Sequence, residues 1–595
     1  MYIPYVDRHS LVRSSGLAVL GLVLIARTAA AGSISLAWDA NTEDDLVGYR
    51  VVYGTSPGSY TERIDVGDRT TVTVSDLTEG RIYYFAVKAY NSAGLASGPS
   101  NEVWAWLSGL PDLPPLPPLP PLPPFPSIPP LPTLPDPTAP PASTPTSPPP
   151  SSSTTHLGYF AEGIQADLFE TRFALLNPND EAAAVAMVFE DEGGEQHTRA
   201  MTLGPHTRAT VTSRDIPELA GRGFSTRVEA NAEVIVDRTV AWGAGRYGAH
   251  LETSLPTPST RWYLTEGIAW NGLFDLFYLV QNPHASPAEI AVTYLLTDGQ
   301  EPEVRRYTAP PHSRLTIWVN GEGDPLSHAE LSAVIESING VPVIAERALY
   351  LSGQGQAFLS GSASAGVTAA ATRWFFGEGA TGSYFDMFLS LANPNDSVAE
   401  VRATYLLPTG RTVHRTYALQ PRSRKTVYVD QEGGGLEQTS VSTILESTNG
   451  VSFLAERSMW WPGPTAANWY ESHSTVGATE TSTRWAVAEG EVGGAANTQT
   501  YLLVANTSPT KGKARVTLLF EDGSRISRTY DLPAQSRTDI PVARDFPDSE
   551  GRRFGALVES VGAEPAQLVV EHALYWNANG RFLAAGGAAL GSPLP

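Results

Sequence analysis

A glutamate stands at one fixed place in four related phrases, "GYFAEG" (158–163), "RWYLTEG" (261–267), "RWFFGEG" (373–379) and "RWAVAEG" (484–490), as Glu162, Glu266, Glu378 and Glu489. A second acid recurs beside a base inside an apolar run: Asp237-Arg238, Glu346-Arg347, Glu456-Arg457 and Glu571-His572. Two carboxyls about 5–10 Å apart across a cleft are what glycoside hydrolysis requires, one as the acid and the other as nucleophile or base. The second repeat offers Glu266, Glu336 and Glu346 for such a pair. "GTSPG" (54–58) adds Ser56, which matches the pattern of a serine nucleophile. That pattern works only on a strand–turn–helix elbow, and Ser56-Pro57 reads as a loop between strands.

The elements around the acids argue against catalysis. "LSAVIES" and "VPVIAERALYL" flank Asn339-Gly340, and the third repeat has Asn449-Gly450 at the same place. Asn-Gly favours a two-residue type I′ hairpin. That register puts Glu336 opposite Val343 and Ala333 opposite Glu346, so the two glutamates point to opposite faces. Glu446 and Glu456 separate in the same way. A charge inside a half-buried strand needs a partner, and the expected partners are Arg261, Arg314 and their equivalents, as guanidinium–carboxylate forks. The expected structural charge network is therefore Glu266, Arg314, Glu346 and Arg347 in the second repeat, and Glu378, Arg424, Glu456 and Arg457 in the third. No catalytic residue, cofactor or metal site is expected. The 11 histidines show no zinc spacing, and "NPND" (177–180, 393–396) reads as a turn capped by its own side chains.

Around these motifs lie 595 residues, 42% apolar, with a formal charge of −22 and no cysteine. Such acidity argues against nucleic acid and anionic membrane as partners, and disulfides are excluded. Arg8 and Arg13 precede "LAVLGLVLIA" (17–26) and "TAAAG" (28–32), the pattern of a signal peptide cleaved near residue 31. No apolar run in the mature chain is long enough to span a bilayer. Residues 108–156 open with "LPDLPPLPPLPPLPPFP", a proline-rich stretch that favours polyproline II and reads as a semi-rigid linker.

Between signal and linker, "SISLAWDA", "GYRVVYG", "TVTVSDL" and "YYFAVKAY" alternate apolar and polar residues, as half-buried strands do. With Trp38, "DLVGYRVVYG" and the Leu77, Gly80, Tyr83 set of a tyrosine corner, residues 32–107 resemble a fibronectin type III domain. The resemblance implies a seven-stranded sandwich used as a spacer or binding module.

Beyond the linker four landmarks recur in one order roughly every 110 residues, a period of tandem domains rather than of a solenoid. They are the opening glutamate, a strand-end asparagine (Asn177, Asn282, Asn393, Asn506), an arginine (Arg208, Arg314, Arg424, Arg537) and the acid–base pair. About seven strands per repeat predict an all-β protein of tandem immunoglobulin-like antiparallel sandwiches at 157–257, 258–370, 371–481 and 482–595. These repeats resemble the tandem "WYLAEG…NPN…AER" domains of exported bacterial proteins, a likeness that implies no particular activity.

The third repeat departs from the pattern with "SMWWPGPTAANWYESH". Adjacent Trp460 and Trp461 cannot face one core, so at least one is expected to be exposed or at a domain junction. With Trp469 and Tyr470 they are the candidate ligand contacts, since flat rings stack on sugars. The chain is thus expected to be an exported, elongated, non-catalytic binding or adhesion protein, with a glycan or a surface protein as its partner. A stalk without a ligand is the alternative, and a glycoside hydrolase or its accessory is a weaker one.

Overall fold

The computed structural model describes residues 155–595 apart from 244, 297–299, 354–355 and 464–467, and within the first 107 residues the stretches 22–24, 34–38, 45–54, 60–75, 77, 81–92, 95–100 and 103–107. The chain divides into two compact units, at 1–149 and 150–595. The Ser56 motif and the proline-rich linker lie outside the described residues.

In the first unit, alternating strands make two antiparallel sheets. One orders Glu62–Gly67, Leu46–Gly54, Arg81–Asn91 and Val103–Leu107, and the other orders Leu22–Leu24, Ile34–Trp38 and Thr71–Val74. Their inward faces bury Leu36, Trp38, Val51, Phe85 and Val87, with the Trp38 ring edge-on to Tyr49 at 5.6 Å. Leu77 and Tyr83 are buried together in this core. Leu22–Leu24, inside the run expected to be an export signal, pairs with Leu36–Trp38. The sheet thus includes residues ahead of the expected boundary at residue 32, because an apolar run read as a signal can also pair as a strand.

Each repeat of the second unit has eight principal strands where seven were expected. In the first they are His156–Phe160, Phe169–Leu176, Ala183–Asp191, Gln196–Leu203, Arg208–Thr212, Arg222–Ala230, Ile235–Trp242 and Gly248–Thr253. Strands 4-3-6-1 form one sheet and 5-2-7-8 the other, and all four repeats keep these pairings, though in the second repeat the short strand Ile268–Trp270 joins the two into one nine-stranded sheet. The missed eighth strands are Gly248–Thr253, Gln356–Ala365, Glu471–Val476 and Arg581–Leu590. They are rich in Gly, Ala and Ser, residues that carry little strand signal.

The expected Asn-Gly hairpin is also corrected. Strand 6 (His328–Ser337) pairs with strands 1 and 3, while strand 7 (Ile344–Gly353) pairs with strands 2 and 8. Asn339-Gly340 therefore carries the chain from one sheet to the other, and Glu346 lies opposite Leu279 and Ala365 rather than Ala333. Gly340 keeps the left-handed φ of 81° that the turn requires. The Asn339 amide is drawn away to the Pro287 carbonyl, and its oxygen accepts the Glu289 N–H. Turn chemistry was legible; which strands the turn joined was not.

The four sandwiches close into a ring. Their eighth strands pack side by side in cyclic order, first on second, second on third, third on fourth and fourth back on first. Small residues permit that approach: a β-carbon on Gly587 of the fourth repeat would stand 2.7 Å from the Leu251 nitrogen of the first. The closing seam has its own apolar cluster, Ala174, Leu176 and Ile235 of the first repeat against Ala486, Leu519 and Leu557 of the fourth.

Candidate functional site

The recurring charges are the fastenings of this ring. Arg347, on the seventh strand of the second repeat, contacts its own Glu266 at 3.1 Å and Glu456 of the third repeat at 2.6 Å. Arg457 likewise holds Glu378 at 2.9 Å and Glu571 of the fourth repeat at 2.8 Å. Arg238 holds Glu162 at 3.1 Å and Glu346 of the second repeat at 2.5 Å. Each seventh-strand acid also accepts backbone N–H groups of the preceding repeat's opening loop: Glu346 from Ala161 and Glu162, Glu456 from Glu266, Glu571 from Gly377. Asp237 completes the circle, accepting from Ala488 and Glu489 at 2.7 and 2.9 Å with His572 at 3.3 Å.

The fifth-strand arginines grip the same neighbour. Arg314 donates to the Gly163 carbonyl, Arg424 pairs with Glu330, and Arg537 donates to the carbonyls of Gly379 and Val441. At the seam the fourth repeat carries His572 where the others carry arginine, and Glu489 is held instead by Arg172 and Arg208 of the first repeat, both at 2.6 Å. The second strands of the other repeats carry Phe277, Phe388 and Tyr501 at the Arg172 position. The missing cation has, in effect, moved across the seam.

This corrects the expected pairing. Arg261 binds Glu336 on the outer surface, and Arg314 reaches a carbonyl, so neither is the partner of Glu346. A guanidinium one repeat away takes that place, which no register within a single repeat could reveal. The strand-end asparagines are fully buried clamps: the Asn177 amide donates to the carbonyls of Glu181 and Gly204, while its oxygen accepts the Asn179 N–H. Among the described residues no group of three or more His, Asp or Glu could hold a metal ion.

The candidate ligand contacts are corrected too. Trp460 and Trp461 are only 4% and 0% exposed, and Trp469 is buried beside them. Trp461 enters the junction with the fourth repeat, donating to the Leu583 carbonyl at 2.8 Å and lying edge-on to Tyr575. Trp460 stacks on Trp469 and meets Phe274 of the second repeat. Opposite-facing neighbours on one strand both find a core because there is a neighbouring domain on each side. The first junction repeats this arrangement, with Trp242 donating to the Phe358 carbonyl and lying edge-on to Tyr350.

The buried acids titrate by location. Burial alone would raise Glu162, but His250 and Arg238 beside it bring it down to about 2. Burial pushes Glu456 up to about 7, with Arg347 opposing and Glu266 adding to the rise. Burial also lifts Glu252 to about 8, reinforced by the Glu346 charge, while N–H groups of Thr253 and Ala365 partly offset it. Glu471, bonded by Ala249 of the first repeat and Gly361 of the second, is pushed far up by burial. His473 is pushed down to about 4 by burial and is a neutral imidazole at pH 7.

One surface open to solvent lies at an end of the eighth-strand bundle, where the described parts of the turns between strands 7 and 8 converge. Tyr384 and Tyr470 both donate to the Phe582 carbonyl, at 3.2 and 2.9 Å, and the Phe582 ring itself is 57% exposed. The Arg581 guanidinium lies 5.0 Å over the Tyr470 ring. Tyr470 was legible in the sequence; Tyr384, Arg581 and Phe582 carried no signal there. The first repeat adds an open groove of about 660 Å³ lined by Asp167, Leu168, Glu170, Arg214 and Arg246.

Comparison with known proteins bears on the first unit. The family described as the fibronectin type III domain matches residues 22–104. The N-terminal module is a fibronectin type III domain. A solved relative is the sixth such domain of human fibronectin type III domain containing protein 3, 21% identical over 16% of this chain and 90% of that one, with a TM-score of 0.14. The FN1–FN3 domains of chicken CNTN1 are 12% identical over 56% of this chain and 93% of theirs, at a TM-score of 0.13. An alpha-L-rhamnosidase of Streptomyces avermitilis, complexed with L-rhamnose, is 10% identical over 93% of this chain and 57% of its own, at 0.15. No curated protein sequence matches the chain. Among the described residues no helix is long and apolar enough to cross a membrane.

Proposed function

We propose that this multidomain chain is an exported, non-catalytic binding protein whose four-sandwich ring presents a glycan-binding surface at the convergent turns. The observation that supports it is the Phe582 ring, 57% exposed at the end of the bundle beside the partly buried Tyr384 and Tyr470, while every recurring glutamate and the three nearby tryptophans are buried. An exposed ring beside partly buried tyrosine side chains suits a sugar, which offers an apolar face and a polar rim. Exposed aromatic patches of this kind mark contacts.

The test is a glycan array and insoluble polysaccharides probed with the full chain and with Phe582→Ala/Tyr470→Ala. Binding by the native chain that falls ~10-fold or more in the variant, at unchanged Tm, is the expected result, since an interfacial aromatic contributes about 1–3 kcal/mol. A folded chain that binds no glycan leaves the reading without support and favours a ligand-free scaffold.

A further inference from the structure

We propose that the sugar recognised at the convergent turns is anionic, a uronate-bearing or sulfated polysaccharide laid across the first, fourth and third repeats. The inference rests on the glycan-binding reading above and goes further by naming the charge of the ligand.

Contacts link the two exposed features into one strip. The turn of the first repeat touches that of the fourth, for Trp576 Nε1 donates to the Arg246 carbonyl at 2.9 Å. Gly245 approaches so closely that a β-carbon there would sit 3.0 Å from the Asn579 side-chain oxygen. Two residues beyond Asn579, Arg581 lies over Tyr470 of the third repeat. The strip therefore runs from Arg214 and Arg246, through the fourth-repeat turn, to Arg581, Tyr470 and Phe582.

Its charge is unusual for this molecule. Three guanidinium groups share the strip with Glu170 and Asp167, in a chain whose formal charge is −22. Arg214 and Arg246 both reach Glu170, at 2.8 Å each, yet remain 58% and 48% exposed, so both keep N–H groups facing solvent. Among the described residues no carboxylate pairs with Arg581. A guanidinium stacked on an aromatic face, with its donors free, is a fork for a carboxylate or sulfate, and the exposed Phe582 ring takes the sugar's apolar face. Neutral sugars would use the Phe582 ring and leave the arginines idle. In an otherwise acidic chain, three guanidinium groups against two carboxylates give a strip on which a polyanion can land.

The experiment is titration of the full chain with polygalacturonate, dextran sulfate and uncharged dextran by calorimetry at two salt concentrations. Alongside it run Arg581→Gln/Arg246→Gln and, separately, Phe582→Ala, with Tm as the check on folding. The expected result is binding of polygalacturonate or dextran sulfate that weakens ~10-fold in the arginine variant and falls with added salt, with dextran bound weakly or not at all. Preference for polygalacturonate would identify a carboxylate, and preference for dextran sulfate a sulfate. Dextran bound as tightly as the polyanions, with loss only in Phe582→Ala, would overturn the anionic inference and keep the glycan reading. No binding of any of the three, together with a silent glycan array, would overturn both.

Discussion

Arg457 shows what one side chain does in this ring. Its two ends hold Glu378 of the third repeat and Glu571 of the fourth, and all three side chains are at most 4% exposed. Removing one member of such a group strands the others as uncompensated buried charges, at a cost of about 3–5 kcal/mol. Arg457→Ala is therefore expected to lower the stability of the ring by about that much, read as a shift in the urea midpoint of the full chain. Exposed pairs should behave differently. Arg373 and Glu446 meet on the outer surface, where Arg373→Ala is expected to change the midpoint by no more than ~1 kcal/mol. Equal losses from the two substitutions would contradict the assignment of Arg457 as a fastening.

The eighth strand is the element on which the assembly depends, and its acids give it a pH response. Glu252 titrates in the unfolded chain near 4.5 and in the folded ring at about 8. Between those values the unfolded chain has released a proton that the folded one retains. Its stabilising contribution is complete below about 4.5, declines by ~1.4 kcal/mol per pH unit above that, and levels off above about 8. Glu471 is shifted in the same direction and adds to the slope. The ring is expected to melt at a higher temperature at pH 5.5 than at pH 8.5. Glu252→Gln should shrink that difference by stabilising the high-pH form. A slope unchanged in the variant would show that other groups set it.

At the scale of the molecule, a heterologous contact repeated head to tail either closes or polymerises, and four repeats close this one. The ring-forming unit should therefore unfold as one body. Calorimetry of the full chain is expected to show a single transition for residues 155–595, distinct from that of the fibronectin type III module, rather than four separable ones. Deleting 482–595 removes the partners of Asp237 and Arg208 and uncovers Leu176 and Ile235. The truncated chain is expected to aggregate or melt well below the ring. Three intact, independently melting repeats would show that closure contributes little.

The sequence by itself determined the class and the number of repeats: period-2 strands, the fibronectin type III residues around Trp38 and Tyr83, and four copies of one landmark order. These are local signals, carried by neighbours along the chain. Only the tertiary structure decided what the landmarks are for. The partner of Glu346 is 108 residues away at Arg238, and that of Glu456 is 109 away at Arg347. Trp460 and Trp461, conspicuous in the sequence, are buried because a neighbouring sandwich lies on each side. The eighth strands form the axis, small residues such as Gly361 and Gly587 letting neighbours approach closely while Glu252 and Glu471 on the same strands bond backbone groups of adjacent repeats. A contact between repeats depends on how one domain turns onto the next, and that rotation is not written in the periodicity of either.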